Sequence, residues 1–369
     1  MVLNRDNRIN GINIGLMIIS CMAAFIMPFE VFLFAYAVMG PLHYLTEISW
    51  LHDRKYFAKG KYDNIVLWLI GALILLESLA YRYNWNWPFD SNFGNKIIFV
   101  ALAGSLLMVF VENVFIKIIG LLFVLLISNV IFQPDKRDGF AFFIGALLPT
   151  LVHVFVFTGF FMLYGALKSR SRSGLLSVVV FIVCPILLYV LFQDKTFVPV
   201  TQYGQNSYKA GGDGFFSTNL SFLQEMFGVK FPQMKDAAGN LLYYEGTETP
   251  ALDYSNAANV VFHSKAGILL MRFIAFAYTY HYLNWFSKTE IIRWHKVPRA
   301  RFIAVIILWV VSLVLYASSY SLGLRWLYFL SFCHVLLEFP LNMVSITGIG
   351  KELITISKNG FKPALAAAK

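Results

Sequence analysis

FIKIIGLLFVLLISNVIF, residues Phe115–Phe132, decides the fold. The stretch carries one charge, Lys117, and shows no alternation of apolar and polar positions. As a helix rising about 1.5 Å per residue it nearly crosses a hydrocarbon layer about 30 Å thick. In lipid every backbone N–H and C=O must be satisfied inside the segment or around a closed barrel. Barrel strands would need a period of two, so the stretch reads as a transmembrane α-helix.

Similar runs fill the chain on both sides. Hydrophobic residues make up 58% of the composition and charged residues 14%, against about a quarter charged in soluble domains. Hydropathy predicts an all-α, polytopic bundle of about ten spans. The first seven run near Asn13–Met27, Phe29–Leu51, Ile65–Tyr81, Lys96–Val111, Phe115–Phe132, Phe140–Leu167 and Leu175–Phe192. Three more follow near Ala266–Phe286, Phe302–Ser319 and Leu324–Ile346. Between the two groups, from Gln193 to His263, the chain is polar and has no run long enough to cross. That gives three regions: helices in 1–192, a long extracytoplasmic loop or small cap in 193–263, and helices with a tail in 264–369. A connector of this length implies a folded cap or a surface for a protein partner.

Charge sets the expected orientation. The net charge is +10, but Lys and Arg concentrate in short loops beside the apolar runs, as the positive-inside rule requires. This argues against nucleic-acid binding. With a cytoplasmic N-terminus, the basic loops after the second, sixth and eighth spans and the tail with Lys351, Lys358 and Lys362 all fall inside. The Asn84–Asn95 turn with Trp85 and Trp87, the Ser319–Gly323 turn and the long loop fall outside. The Asp135–Asp138 turn, where Lys136 and Arg137 are offset by two aspartates, is neutral to this test. A bacterial cytoplasmic membrane is the expected location. Lys288 to Arg301, with Trp294, reads as a basic amphipathic loop on anionic headgroups. The three cysteines, Cys21, Cys184 and Cys333, lie in separate apolar segments without CxxC spacing and read as packing residues.

Four of the seven histidines fall inside spans: His43, His153, His281 and His334. Counted along their helices, all four lie between mid-membrane and the cytoplasmic third, so a bundle could bring them to one point. Glu47 follows His43 by four residues, and Glu338 follows His334 by four. Residues so spaced share a helix face, which offers an imidazole and a carboxylate together, a donor set for a transition metal or a proton carrier. Ionisable groups in hydrocarbon are costly and usually face a functional interior. Tyr280, Tyr282, Asn284 and Trp285 surround His281 in sequence and are candidates for a substrate pocket. Arg272 needs a partner or water within the eighth span, with Glu30 one candidate. HExxH, Walker, Gly-x-Ser-x-Gly and HxxHH motifs are absent.

At these residues the chain resembles the Brp/Blh family, bacterial membrane enzymes that cleave β-carotene to retinal with non-haem iron and O2. Gly40, Pro41, His43 and Glu47 resemble its early His helix, His153 its mid-chain His, Tyr280-His281-Tyr282 its paired-His helix, and His334 with Glu338 its late His followed by an acid. The resemblance implies that His43, His153 and His281 ligate iron. It also departs from the family: Trp285 replaces the second His of the pair, so His334 has to complete the site. The acids are Glu rather than Asp, and the chain has an extra outer loop.

The leading expectation is therefore a metal-dependent membrane oxidoreductase. It would hold Fe(II), or another first-row transition metal, and act on a hydrophobic, carotenoid-like substrate arriving from the bilayer. Glu47 and Glu338 would serve as catalytic acids or bases. The alternatives are a transporter or channel that uses the same His and Glu as a proton or cation relay, and a membrane scaffold whose outer loop binds partners.

Overall fold

The computed structural model describes residues 2–133, 139–191, 198–209, 215–244 and 250–361. The Asp135–Asp138 turn and Lys362 lie outside the described residues. Seven helices make up the first part: α1 (Val2–Ile26), α2 (Pro28–Asp53), α3 (Asp63–Arg82), α4 (Phe93–Phe110), α5 (Val114–Ile131), α6 (Gly139–Ser169) and α7 (Arg172–Val190). Three shorter helices follow, α8 (Gln202–Lys209), α9 (Phe215–Phe227) and α10 (Tyr254–His263). The chain then re-enters the bundle as α11 (Lys265–Ser287), α12 (Arg299–Ser318) and α13 (Tyr320–Asn359).

Local chemistry sets many of these boundaries. Pro28 opens α2, where its missing N–H costs nothing. The side chains of Asn113, Ser171 and Ser264 accept the first free amides of α5, α7 and α11. Among the described residues nine helices are long and apolar enough to cross a membrane. α11 is more polar, and qualifies as a tenth span only together with α10, from which it bends by 62°. Gly267 makes that bend possible: a Cβ there would sit 2.2 Å from the carbonyl oxygen of Val261.

α5 is nearly bare. Phe115, Phe123, Leu126 and Val130 all point outward, which suits contact with lipid tails. Its buried Lys117 reaches back to Asp63 at 2.5 Å. Such a pair near the end of two helices neutralises a cation that hydrocarbon would reject.

One end of the bundle gathers the basic loops. Arg8 pairs with Glu290 at 2.7 Å, Arg301 with Asp53 at 2.6 Å and Arg170 with Glu352 at 2.7 Å. The other end carries the 198–263 region. Three antiparallel bridges, Gln233–Leu252, Lys235–Leu241 and Tyr243–Pro250, close a small hairpin there. α8 and α9 fold down onto the spans: Phe215 stacks edge-on with Phe32 at 4.7 Å, and Tyr208 with Phe29 at 5.6 Å. Asn219 donates to the Tyr208 hydroxyl at 2.8 Å. The polar region is thus a folded cap that shares its core with α2 and α11.

Two apolar cores result. One joins α1, α2, α6, α7, α11, the ends of α12 and α13, and the cap; the other joins α2, α3, α4, α6 and α13. α2, α6 and α13 belong to both, and the intramembrane histidines lie along this seam.

Candidate metal centre

Three of the four helices that carry the histidines contain an irregularity near them. In α2 a π-helical turn over Ala35–Met39 precedes Gly40 and Pro41. Pro41 has no N–H to return to the previous turn, and the widened turn absorbs the mismatch. The next turn presents His43 and Glu47. In α6 the backbone is π-helical from Phe143 to Phe157, with Pro149 inside it. His153 lies within this widened stretch, and Thr158 follows where the α-helical part of α6 begins. In α13, Pro340 stands two residues beyond Glu338.

The four imidazoles converge. His43 Nε2 lies 3.0 Å from His281 Nε2, and His153 Nε2 lies 3.1 Å from His334 Nε2. Ring centroids are 5.5 Å apart for His43–His334 and 5.0 Å for His153–His281, which closes a ring of four. Donor atoms of His43, His281 and His334 all lie within 4.8 Å of one another, and His153 joins them through His334. All four side chains are buried.

The Nδ1 atom of His281 has a hydrogen-bond partner outside this ring of four, and that of His153 only a more distant carboxyl oxygen with which it makes no hydrogen bond. His281 Nδ1 is 2.7 Å from Thr158 Oγ1, and His153 Nδ1 is 3.4 Å from Glu338 Oε2. A hydroxyl that accepts from Nδ1–H leaves the lone pair on Nε2 free for a metal, an arrangement typical of metal-bound histidine. Glu47 Oε2 approaches His43 Nε2 at 3.0 Å. The His-x3-Glu spacing holds on α2, but on α13 the carboxyl turns to His153 of the neighbouring helix, while His334 stacks on Tyr44 at 4.3 Å. Both carboxyl groups are buried, 3% and 1% exposed, where an unpaired charge would be prohibitive.

This donor set fits a first-row ion. Donors about 2.1–2.2 Å from a shared ion and at right angles across it are about 3.0 Å apart, the Nε2 spacing found in both pairs; a tetrahedral site would set them about 3.4 Å apart. His43, His281 and His334 are the residues that could hold it, with His153 and Glu47 at the edge.

The surroundings match the sequence expectations in part. Tyr282 lies 5.2 Å ring to ring from His43 and shares a 2.7 Å hydrogen bond with Tyr44. Trp285 packs 5.5 Å from His43 and donates to Thr46 Oγ1 at 2.9 Å. Tyr280 and Asn284, by contrast, are not brought to the histidines. One helical turn apart, they share a face of α11 that looks toward α1, where the Tyr280 hydroxyl donates to Asn13 Oδ1 at 3.2 Å. Arg272 donates to the Phe25 carbonyl at 3.2 Å, while Glu30 accepts from the Thr201 amide at 2.7 Å. Tyr44, Thr158 and Ser331 escaped the sequence reading. Tyr44 adjoins His43 and could have been weighed with it, whereas Thr158 becomes a neighbour of the site only through the packing of α6 against α11.

One void touches the histidines and a second lies just beyond it. A small one of about 20 Å³, room for about one water, touches His153, His281, His334, Tyr44 and Tyr282. A larger one of about 270 Å³ lies under the cap, lined by Phe32, Phe215, Phe222 and other mainly apolar side chains. The two share Pro149, Tyr278, Ser331 and Val335 as a common wall. No family model matches the chain, and no curated protein or solved structure is significantly similar to it.

Proposed function

We propose that the protein is a metal-dependent membrane oxidoreductase that holds Fe(II) among His43, His153, His281 and His334 and acts on a hydrophobic substrate. One observation carries this reading: four Nε2 atoms from four helices point at one another, and two of the far nitrogens face Thr158 and Glu338. Imidazoles with a nearby carboxylate and open positions are the ligand type that suits non-haem iron, and bound iron would supply activation of O2. The chain's own residues do the rest. The wall formed by Pro149, Tyr278, Ser331 and Val335 would position an apolar, carotenoid-like molecule entering from the cavity under the cap. Glu47 and Glu338 can hold a proton beside His43 and His153. The dry surroundings exclude bulk water from whatever forms there. By the charge pattern, the basic end faces the cytoplasm of a bacterial inner membrane, with both termini on that side.

One observation favours a second reading. Nε2 separations of 3.0 and 3.1 Å are also those of imidazole–imidazole hydrogen bonds. With Glu47 and Glu338 the same groups would make a proton or cation relay through the bundle. Elemental analysis separates the two. Protein purified without strong chelators should carry close to one equivalent of iron, and far less in His43→Ala or His334→Ala. Wild type free of iron, copper, zinc and manganese would overturn the oxidoreductase reading in favour of the relay.

A further inference from the structure

Tyr280, Asn284 and Lys288 recur every four residues along α11 and just past its end, on the face turned to α1. Together with α1, α6 and the start of α7, that face encloses a cavity of about 390 Å³ at the basic end of the bundle, apart from the histidines. Its polar walls include Asn13, Ser177 and Asn284, all buried. Asp6, Gly165 and Ser169 line its more exposed part. A polar pocket of this size inside a membrane protein is costly to maintain unless something polar is meant to enter it.

Most polar groups of the pocket are already engaged, the Asn10 and Asn13 amides and the Ser169 and Ser177 hydroxyls among them, and two donors are not. Asn13 Oδ1 takes the Tyr280 hydroxyl at 3.2 Å and the Ser287 hydroxyl at 3.0 Å. Asn284 Oδ1 also faces the Tyr280 hydroxyl, at 3.4 Å. The amide Nδ2 of Asn284, a side chain 8% exposed, has no acceptor among the described residues. Lys288, which also lines the cavity, makes no ion pair among them. Burial pushes its ammonium down to about 8, so it still carries its charge at neutral pH. α7 begins in the same wall: Ser171 and Gly174 line the cavity, and the Gly174 amide donates to Ser171 Oγ at 3.0 Å. The positive end of a helix, a lysine and a free amide thus share one concave space. Only Asp6, in the more exposed part, carries negative charge there.

We propose that this cavity is a binding site for a phosphate group, with Lys288 and Asn284 as its principal donors. A tetrahedral phosphate presents oxygen acceptors in several directions at once, as donors arriving from separate helices require. The group could be the headgroup of an anionic lipid from the leaflet at this end or a soluble phosphate. The inference is independent of the metal reading.

Thermal unfolding of the full-length protein, delipidated in detergent at constant ionic strength, tests it. The probes are inorganic phosphate, phosphatidylglycerol and, as zwitterionic control, phosphatidylcholine. A ligand that binds only the folded state raises the midpoint in a saturable way. Stabilisation by phosphatidylglycerol alone would assign a lipid headgroup, and stabilisation by inorganic phosphate a soluble ligand. In either case Lys288→Met should weaken binding roughly 10- to 100-fold, as loss of a charge-assisted bond does. Should that variant fail to fold, Asn284→Asp, which keeps the shape and adds a negative charge, should abolish the response. No stabilisation of wild type by either phosphate probe, or equal stabilisation of wild type and variants, would overturn the proposal.

Discussion

Thr158→Val is the sharpest test of the metal centre, because it leaves all four histidines in place. Valine keeps the branched shape of threonine and deletes only the hydroxyl that lies 2.7 Å from His281 Nδ1. Leaving that buried nitrogen without a partner costs about 1–3 kcal/mol, or roughly 5- to 150-fold in an equilibrium constant. For metal affinity the cost is felt through the tautomer: the metal-binding form of His281 carries its proton on Nδ1, and the hydroxyl is the group that can accept it there. Loss of such an outer partner typically lowers affinity about 10- to 100-fold. Thr279→Val is the matched control, since its hydroxyl is buried on α11, the helix of His281, without a hydrogen bond. Competition with a chromogenic chelator, read alongside thermal unfolding, measures both effects. The expected result is weakened metal binding in Thr158→Val and wild-type affinity in Thr279→Val. Unchanged affinity in Thr158→Val, or equal losses in the two variants, would refute the role given to Thr158.

Two further outcomes are expected. Gly71→Val on α3 would place a Cβ about where Cys333 Sγ now sits, 2.5 Å from it; overpacking of this kind costs about 1–3 kcal/mol, and Cys333→Ala in the same chain should restore part of the lost thermal midpoint. No recovery would mean that the glycine is not there to admit α13. A topology reporter inserted after Arg172 should read cytoplasmic and one within the 215–235 segment external, and readings on the same side would break the ten-span arrangement.

The spans were legible because lipid makes the code simple: apolar length, proline at helix starts and basic flanks leave few alternatives. The convergence of the histidines was legible for a related reason. Depth in a membrane is one coordinate, and residue counting supplies it. What counting from an α-helical period could not supply was azimuth. His153 sits in the π-helical stretch Phe143–Phe157 of α6, and nothing but Pro149 marks that stretch in the sequence. Glu338 illustrates the same limit. Its spacing from His334 is right for a shared face, yet the carboxyl finds His153 on α6, a choice made by packing between helices rather than along one.

α11 shows what this azimuthal question decides. Its sequence after Met271 is dense in polar and aromatic side chains, and read as one patch they all crowd around His281. In space they separate. His281, Tyr282 and Trp285 turn to α2, where they meet His43, Tyr44 and Thr46. Tyr280, Asn284 and Lys288 turn to α1 and to the cavity beside α7. A helix that is polar on two faces is too costly to leave against lipid. That accounts for its position at the centre of the bundle, buried along nearly its whole length. It also accounts for why α11 alone does not reach the apolarity of a span and needs α10 to do so. The residues that make it a poor membrane helix are the ones that line the two sites.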